Sequence, residues 1–430
     1  MFNRGQTPLV NRGQTPVADR RKWCLTPIAP AADRRGWCVT PIAAAALLAA
    51  LLASAPHGQA RPRARDLGVP FEGSPGPLNA ITDIAGVTVG HATIISGDGP
   101  LVVGKGPVRT GVTAVLPRGR DTLQRPCFGA WFSLNGNGEM TGTTWVEESG
   151  FLEGPVLITN TLSVGVVRDA AIAWRLKAGP ADASGFWWAL PVVAETWDGY
   201  LNDINGMHVK PEHVFQALDR AAGGRVAEGS VGGGTGMVCY GFKGGIGTAS
   251  RRLASKGVGY TVGALVQANF GLRAQLMVAG APVGREIPEG DLRGGGGAGA
   301  SEAGSVIAVV ATDAPLLPHQ LKRLARRVSL GLARTGAMSG NGSGDIFIAF
   351  STANPDAFTA SGVARVQMIA NDDMSPLFDA TILATEEAVI NALVASDTMT
   401  GADGRRVIGL PHDRLRDVLR KYNRIVNPAS

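Results

Sequence analysis

The stretch Gly304-Ser305-Val306-Ile307-Ala308-Val309-Val310 leaves a glycine-rich segment, Arg293 to Gly304 (RGGGGAGASEAG), and enters an apolar run that continues to Thr312. A short, largely β-branched run of this kind reads as a buried strand, and the long apolar run Tyr260 to Phe270, broken only by small and amide residues, suits a strand covered on both faces. From about Arg61 onward such β-rich runs alternate with helical ones, the pattern of an α/β chain. The glycines ahead of the run mark an exposed break between an N-terminal and a C-terminal segment.

Outward from this stretch, strands are expected at Gly111 to Leu116, Pro155 to Asn160, Leu190 to Glu195, Tyr260 to Phe270 and Asp345 to Ser351, most of them rich in Val, Ile or Phe. Helices are expected at Ser163 to Ala178, Pro211 to Ala222, Pro315 to Ala333, Pro376 to Ala395 and His412 to Tyr422. In the third, Leu317, Leu321, Leu324, Val328 and Leu332 recur at helical spacing, while Lys322, Arg323, Arg326 and Arg327 fall away from that stripe and read as a solvated face. The loops between are glycine-rich: Asn135-Gly136-Asn137-Gly138, Gly232-Gly233-Gly234-Thr235-Gly236 and Gly340-Asn341-Gly342-Ser343-Gly344. Glycine lets another backbone or a ligand approach closely, so such loops suit the walls of a site. Any one of them is equally plain turn chemistry. The 59 glycines among 430 residues are about twice the usual share, and 45% hydrophobic residues with only 18% charged residues excludes an intrinsically disordered chain.

The charge is concentrated at the front. Residues 1–60 carry seven Lys or Arg against two Asp, so of the net +6 only +1 belongs to the remainder. A basic region, an apolar run from Ile42 to Ala53 and the small-residue sites Ala53-Ser54-Ala55 and Gly58-Gln59-Ala60 read as a leader with a signal peptide. That run is too short to span a bilayer comfortably. Arg34-Arg35 just ahead of it is similar to a twin-arginine export signal, so the protein is expected to be exported, to the periplasm, without a stable membrane anchor. The near-neutral remainder offers no basic surface for nucleic acid. Short internal copies, NRGQTP at Asn3 and Asn11 and ADRR-x-WC at Ala18 and Ala32, are too brief for solenoid units.

His91, His208, His213, His319 and His412 show no metal-binding spacing, and Cys127 and Cys239 stand alone, so no metal is expected; the cysteines read as buried structural thiols. No phosphate-binding loop occurs, and the glycines at 232–236 lack dinucleotide-binding spacing, so no organic cofactor is expected either. Gly299-Ala300-Ser301-Glu302-Ala303 nearly matches a nucleophile elbow, but an elbow must feed a helix and a β-branched run follows. Ser305 fits nucleophilic chemistry better. With Gly304 before it, the backbone can twist so that the hydroxyl attacks its own preceding carbonyl; the peptide C–N bond gives way to an ester, which water then releases. The new chain would start at Ser305, whose α-amine, with an ordinary pKa near 7.7–8.0, can serve as general base for its own hydroxyl. Taken alone, a Gly-Ser pair at a loop–strand junction is also an ordinary turn.

Six stretches change that balance: Leu78-Asn79-Ala80-Ile81-Thr82-Asp83, Gly104 to Gly111 (GKGPVRTG), Asn135 to Gly142 (NGNGEMTG), Thr196 to Asp203 (TWDGYLND), Gly229 to Met237 (GSVGGGTGM) and Gly304-Ser305. Together, over about Leu67 to Val426, they resemble the L-aminopeptidase D-Ala-esterase/amidase family of self-processing serine aminopeptidases, which includes the β-aminopeptidases. The resemblance implies an Ntn-hydrolase-like, four-layer αββα sandwich made by an α chain, 61–304, and a β chain, 305–430, cut from one precursor and staying together. It implies Ser305 as nucleophile, Asn269 in the oxyanion hole, Tyr200 beside the reacting centre, and Ser343 and Asp345 orienting the Ser305 amine; some relatives carry glutamate where Asp345 stands. The implied reaction removes small N-terminal residues, L-Ala, D-Ala or β-amino acids, from peptides, amides and esters through an acyl-Ser305 intermediate. A homotetramer of αβ units is implied as well.

A substrate's free ammonium calls for a carboxylate; Glu139, Glu195 and Asp198 are candidates because each lies in or beside a matched stretch. Trp131, Phe132 and Trp197 suit the wall of a small apolar pocket, or the core. Two other readings remain at this level: an acyltransferase of the ornithine acetyltransferase type, which uses threonine where Ser305 stands, and a non-enzymatic scaffold that binds a small ligand.

Overall fold

Two sheets stack between outer helical layers because their central strands present two apolar faces. The computed structural model describes residues 61–121, 124–177, 188–255, 258–292, 303–359 and 361–426. The leader, with Cys24, Cys38, Arg34-Arg35 and the Ile42–Ala53 run, and most of the Arg293–Gly304 segment lie outside the described residues. Arg61–Ser430 forms one unit.

The smaller sheet has the order β1 (Thr88–Ser96), β2 (Val108–Arg120), β5 (Val156–Asn160), β6 (Val192–Thr196), with β5 and β6 parallel and the other neighbours antiparallel. The larger sheet has the order β4 (Phe151–Leu152), β3 (Cys127–Ser133), β12 (Gly342–Ser351), β11 (Ala303–Thr312), β10 (Val258–Asn269), β9 (Gly245–Ser255). Its one parallel pair is β11–β12. A short hairpin, β7 (Val238–Cys239) and β8 (Phe242–Lys243), precedes β9.

Burial along β11 shows the layering residue by residue. Val306, Ala308 and Val310 join a core with helices α5 (Pro318–Arg334), α6 (Ser375–Val394) and α7 (His412–Lys421). Ile307, Val309 and Ala311 join a second core with Val115, Val156, Ile158 and Val192 of the smaller sheet. That sheet's other face, through Val112, Leu116, Leu157 and Val193, packs on α2 (Val164–Lys177) and α3 (Pro211–Asp219). The order helix, sheet, sheet, helix is the expected αββα sandwich. A remaining helix, α1 (Thr143–Ser149), leads into β4, and α4 (Val283–Glu286) is a single turn.

Two differences from the sequence reading matter. β11 begins at Ala303, so Ser305 lies inside the strand, not at its first position. The strands β1, β3 and β9 were not anticipated at all. Cys127 and Cys239 are both buried, as expected. Among the described residues, no helix is long and apolar enough to cross a membrane.

Candidate active site

Register decides what meets Ser305. Asn269 stands opposite it on β10 and Gly344 opposite it on β12, and partners in register present their side chains to the same face. That face is the one turned toward the smaller sheet, since Ile307 two residues on packs in the inter-sheet core. Ser305 is buried, 3% exposed, and lines a cleft of about 720 Å³ together with Gly136, Glu139, Thr161, Glu195, Trp197 and Gly342. Gly344 is obligatory in this arrangement: a Cβ there would stand 2.3 Å from the Asn137 carbonyl oxygen and 2.9 Å from Gly138 Cα. The Asn135–Gly138 loop therefore lies directly on β12.

Asn269 is held at both ends of its amide. Its Oδ1 accepts from the Val238 N–H at 2.8 Å and its Nδ2 donates to the Trp197 carbonyl at 2.9 Å. These bonds fix which end of the amide is the donor and hold the side chain in a defined orientation, on the sheet face it shares with Ser305. Next to it, Gln267 Nε2 bonds Thr159 O at 3.0 Å and Thr196 Oγ1 at 2.8 Å, fastening β10 to the smaller sheet.

Ser343 and Asp345 occupy the opposite face of β12, beside the main chain of β11 instead of the Ser305 hydroxyl. Gly304 pairs with Ser343 and Val306 with Asp345. The Asp345 carboxylate accepts from Ser343 Oγ at 2.7 Å, from Asn135 Nδ2 at 3.4 Å and from the Val306 N–H. Burial raises its pKa, against the pull of those bonds downward. A carboxyl group of this kind is placed to serve the main-chain nitrogen of the strand that carries the nucleophile.

The three carboxylates weighed for the ammonium separate clearly. Glu139 is exposed at the cleft rim, and its main-chain N–H, not its carboxylate, is engaged, donating to Glu195 Oε1 at 3.0 Å. Glu195, 3% exposed, lines the cleft; it also accepts a short bond from the Thr161 hydroxyl. Burial raises its pKa, and the nearby Glu139 charge adds to that shift. Asp198 is fully buried, accepts from Asn202 Nδ2 at 3.0 Å, and has its pKa pushed up by burial to about 7. It is not among the cleft's lining residues.

The aromatic residues also separate. Trp131 packs against the inter-sheet core, and Phe132 packs on the other face of β3, toward Phe347. Trp197, half exposed, lines both the Ser305 cleft and a smaller adjoining cavity of about 130 Å³. Tyr200 lines that second cavity together with Asn269, Val238 and Phe270. The Arg405 guanidinium lies 5.5 Å from the Tyr200 ring centroid. Sequence reasoning missed Thr161, which lies in no motif; its position follows only from how the loop after β5 folds back on the sheet.

Residues 79–407 match the model of peptidase family S58. The beta-peptidyl aminopeptidase BapA of Sphingosinicella microcystinivorans is 55% identical over 392 residues, covering 88% of this chain and 97% of that protein. Among solved structures, the L-aminopeptidase D-Ala-esterase/amidase of Ochrobactrum anthropi, described as a prototype for the serine aminopeptidases and a variant of the Ntn hydrolase fold, superposes with a TM-score of 0.79 at 47% identity, covering 85% of this chain and all of that one. A Burkholderia beta-aminopeptidase gives a TM-score of 0.75 at 49% identity, over 84% of this chain and 99% of that one.

Proposed function

The chain belongs to peptidase family S58 and is a serine aminopeptidase with the Ntn-hydrolase fold, and from that premise we propose that it cuts itself between Gly304 and Ser305 and uses Ser305 to release small N-terminal residues. The observation that carries this reading is the register that sets Ser305 against Asn269 and Gly344, with Glu195 buried in the same cleft. Cleavage turns the Ser305 nitrogen into an α-amine on β11, in register with the neighbouring β12 segment that carries Ser343 and Asp345. That amine takes the Oγ proton as Oγ attacks the substrate carbonyl, and returns it to the departing amine. The acyl-Ser305 ester is then opened by water, whose proton passes to the same base. The Asn269 NH2 group stabilises the oxyanion in both steps, a contribution of about 3–4 kcal/mol for such donors.

Glu195 binds the substrate ammonium. It is the carboxylate that is both buried and open to the cleft, so an ion pair formed there is poorly screened. The names of the relatives, beta-peptidyl aminopeptidase and beta-aminopeptidase, favour β-amino acid residues at the N-terminus of the substrate. Export to the periplasm follows the leader's basic and apolar pattern. We also propose assembly as a homotetramer; the exposed apolar side chains of Phe358, Val363, Val366 and Met368 support burial of this segment against another copy. A panel of p-nitroanilides bearing L-Ala, D-Ala and β-homo residues tests the substrate assignment: β-homo and small L-residues should turn over, and activity confined to large or N-acylated residues would contradict it.

A further inference from the structure

Lys243 is completely buried at the end of the β7–β8 hairpin, yet its ammonium group is spent on main-chain carbonyls: Gly244 O at 2.7 Å, Met237 O at 2.9 Å and Gly234 O at 3.4 Å. The Met237 carbonyl is one end of a single peptide unit whose other end is the Val238 N–H, the group that donates to Asn269 Oδ1 at 2.8 Å. We infer that Lys243 is a positioning residue for the oxyanion donor, acting on Asn269 through the Met237–Val238 peptide. This rests on the reading of Asn269 as the donor that meets the oxyanion.

Two effects follow from the geometry. First, a cation on an amide oxygen withdraws electron density from the nitrogen, so the Val238 N–H becomes a stronger donor; polarisation passed along such a chain strengthens each bond by roughly 10–30%. Asn269 is polarised in the same sense, from Oδ1 toward its NH2 group, which makes that group a better partner for a developing negative charge. Second, Lys243 adds a charged bond to a carbonyl that otherwise accepts from the Gly244 N–H at 2.9 Å, in a loop whose Gly232 and Gly233 N–H groups donate to the Thr93 and Thr113 hydroxyls at 2.8 and 3.1 Å. A Cβ at Gly234 would stand 2.6 Å from Ile246 N and one at Gly236 2.3 Å from Arg109 O, so these residues lie directly on neighbouring backbone without side chains to fasten them. Lys243 ties three carbonyls around the Met237–Val238 peptide, those of Gly234, Met237 and Gly244, to one group. Burial lowers its pKa to about 7, while the Cys239 and Asp198 groups oppose that shift, so the charged form is complete only below that pH.

A double-mutant cycle on the full-length, self-processed enzyme tests the link. Lys243→Met, Asn269→Ala and the double variant are assayed with one aminoacyl p-nitroanilide, with kcat expressed per processed chain. Lys243→Met is expected to lower kcat at least tenfold with KM changed less than about threefold, and to lower kcat less than about threefold when Asn269 is already alanine. Equal losses in both backgrounds, or no loss of kcat in the parent, overturn the inference while leaving Asn269 in its role. An Asn269→Ala variant with parental kcat overturns both the role of Asn269 and the inference. If Lys243→Met does not fold, Lys243→Gln, which keeps a donor and lacks the charge, enters the same cycle.

Discussion

Replacing Gly344 by alanine tests the claim that the cleft is built by backbone lying directly on backbone. The new Cβ would meet Asn137 O at 2.3 Å, Asn137 C at 2.7 Å and Gly138 Cα at 2.9 Å, against ordinary contacts of about 3.5 Å. All three atoms are main chain, so the Asn135–Gly138 loop must retreat by about 1 Å. That loop holds Asn135 Nδ2 on Ser339 O at 2.7 Å and Asn137 Nδ2 on Gly342 O at 2.9 Å, and it leads into the Glu139 N–H that fixes Glu195. Overpacking of this kind costs about 1–3 kcal/mol, and displacement of a site by about 1 Å costs about a hundredfold in rate. Gly136 of the same loop is the control, because a Cβ there meets nothing within 4 Å. Urea unfolding and the extent of self-cleavage on denaturing gels should place Gly344→Ala 1–3 kcal/mol below the parent with slowed processing, about a hundredfold down in kcat/KM. Gly136→Ala should stay within about 0.5 kcal/mol and process normally. Indistinguishable behaviour of the two variants would refute the backbone-contact reasoning.

Glu195→Gln should raise KM for substrates with a free amine by an order of magnitude or more, as expected for loss of a buried ion pair, with a smaller change in kcat. Because burial raises the Glu195 pKa, its charge is lost on acidification before that of an ordinary carboxylate; the acid limb of kcat/KM should lie above the usual carboxylate range and flatten in the variant. His91 sets a pH dependence of stability instead. Thr113 Oγ1 accepts from the Gly233 N–H at 3.1 Å, leaving its proton for His91 Nδ1 at 3.0 Å, which suits a neutral ring. Burial lowers the ring's pKa from 6.5 to about 4. Between those values the unfolded chain binds a proton that the native chain refuses, so stability is lost as pH falls. The upper bound is about 3 kcal/mol, reduced by the ring's partial exposure. Urea midpoints at pH 7.5 and 4.5 should converge in His91→Asn relative to the parent.

Much of the framework could be read in advance because it is local. The β11 run, the Leu321–Leu332 stripe of α5 and the proline-started helices α3 and α5 carry their own signals, and their observed bounds fall within a few residues of expectation. The strands that escaped notice depend on distant partners. β1 contains Gly90, where a Cβ would stand 2.0 Å from Ala217 O of α3, and β9 contains Gly247, 1.9 Å by the same measure from Ala388 O of α6. Those glycines weaken strand propensity locally and are required only once a helix lies against them. β9 also buries Arg251, paired with Glu387 at 2.7 Å, a residue that alone suggests a surface. In the site, motif resemblance supplied Ser305, Asn269, Ser343 and Asp345. It could not choose among Glu139, Glu195 and Asp198, since their separation depends on which loop closes over which strand end.

The central claim is that a peptide bond is exchanged for a nucleophile at Ser305. Intact mass and N-terminal sequencing of the purified protein under denaturing conditions test it most directly. The account predicts two chains, the shorter beginning at Ser305, and a single uncut chain for Ser305→Ala. A parent protein that hydrolyses aminoacyl p-nitroanilides as one uncut chain would contradict it.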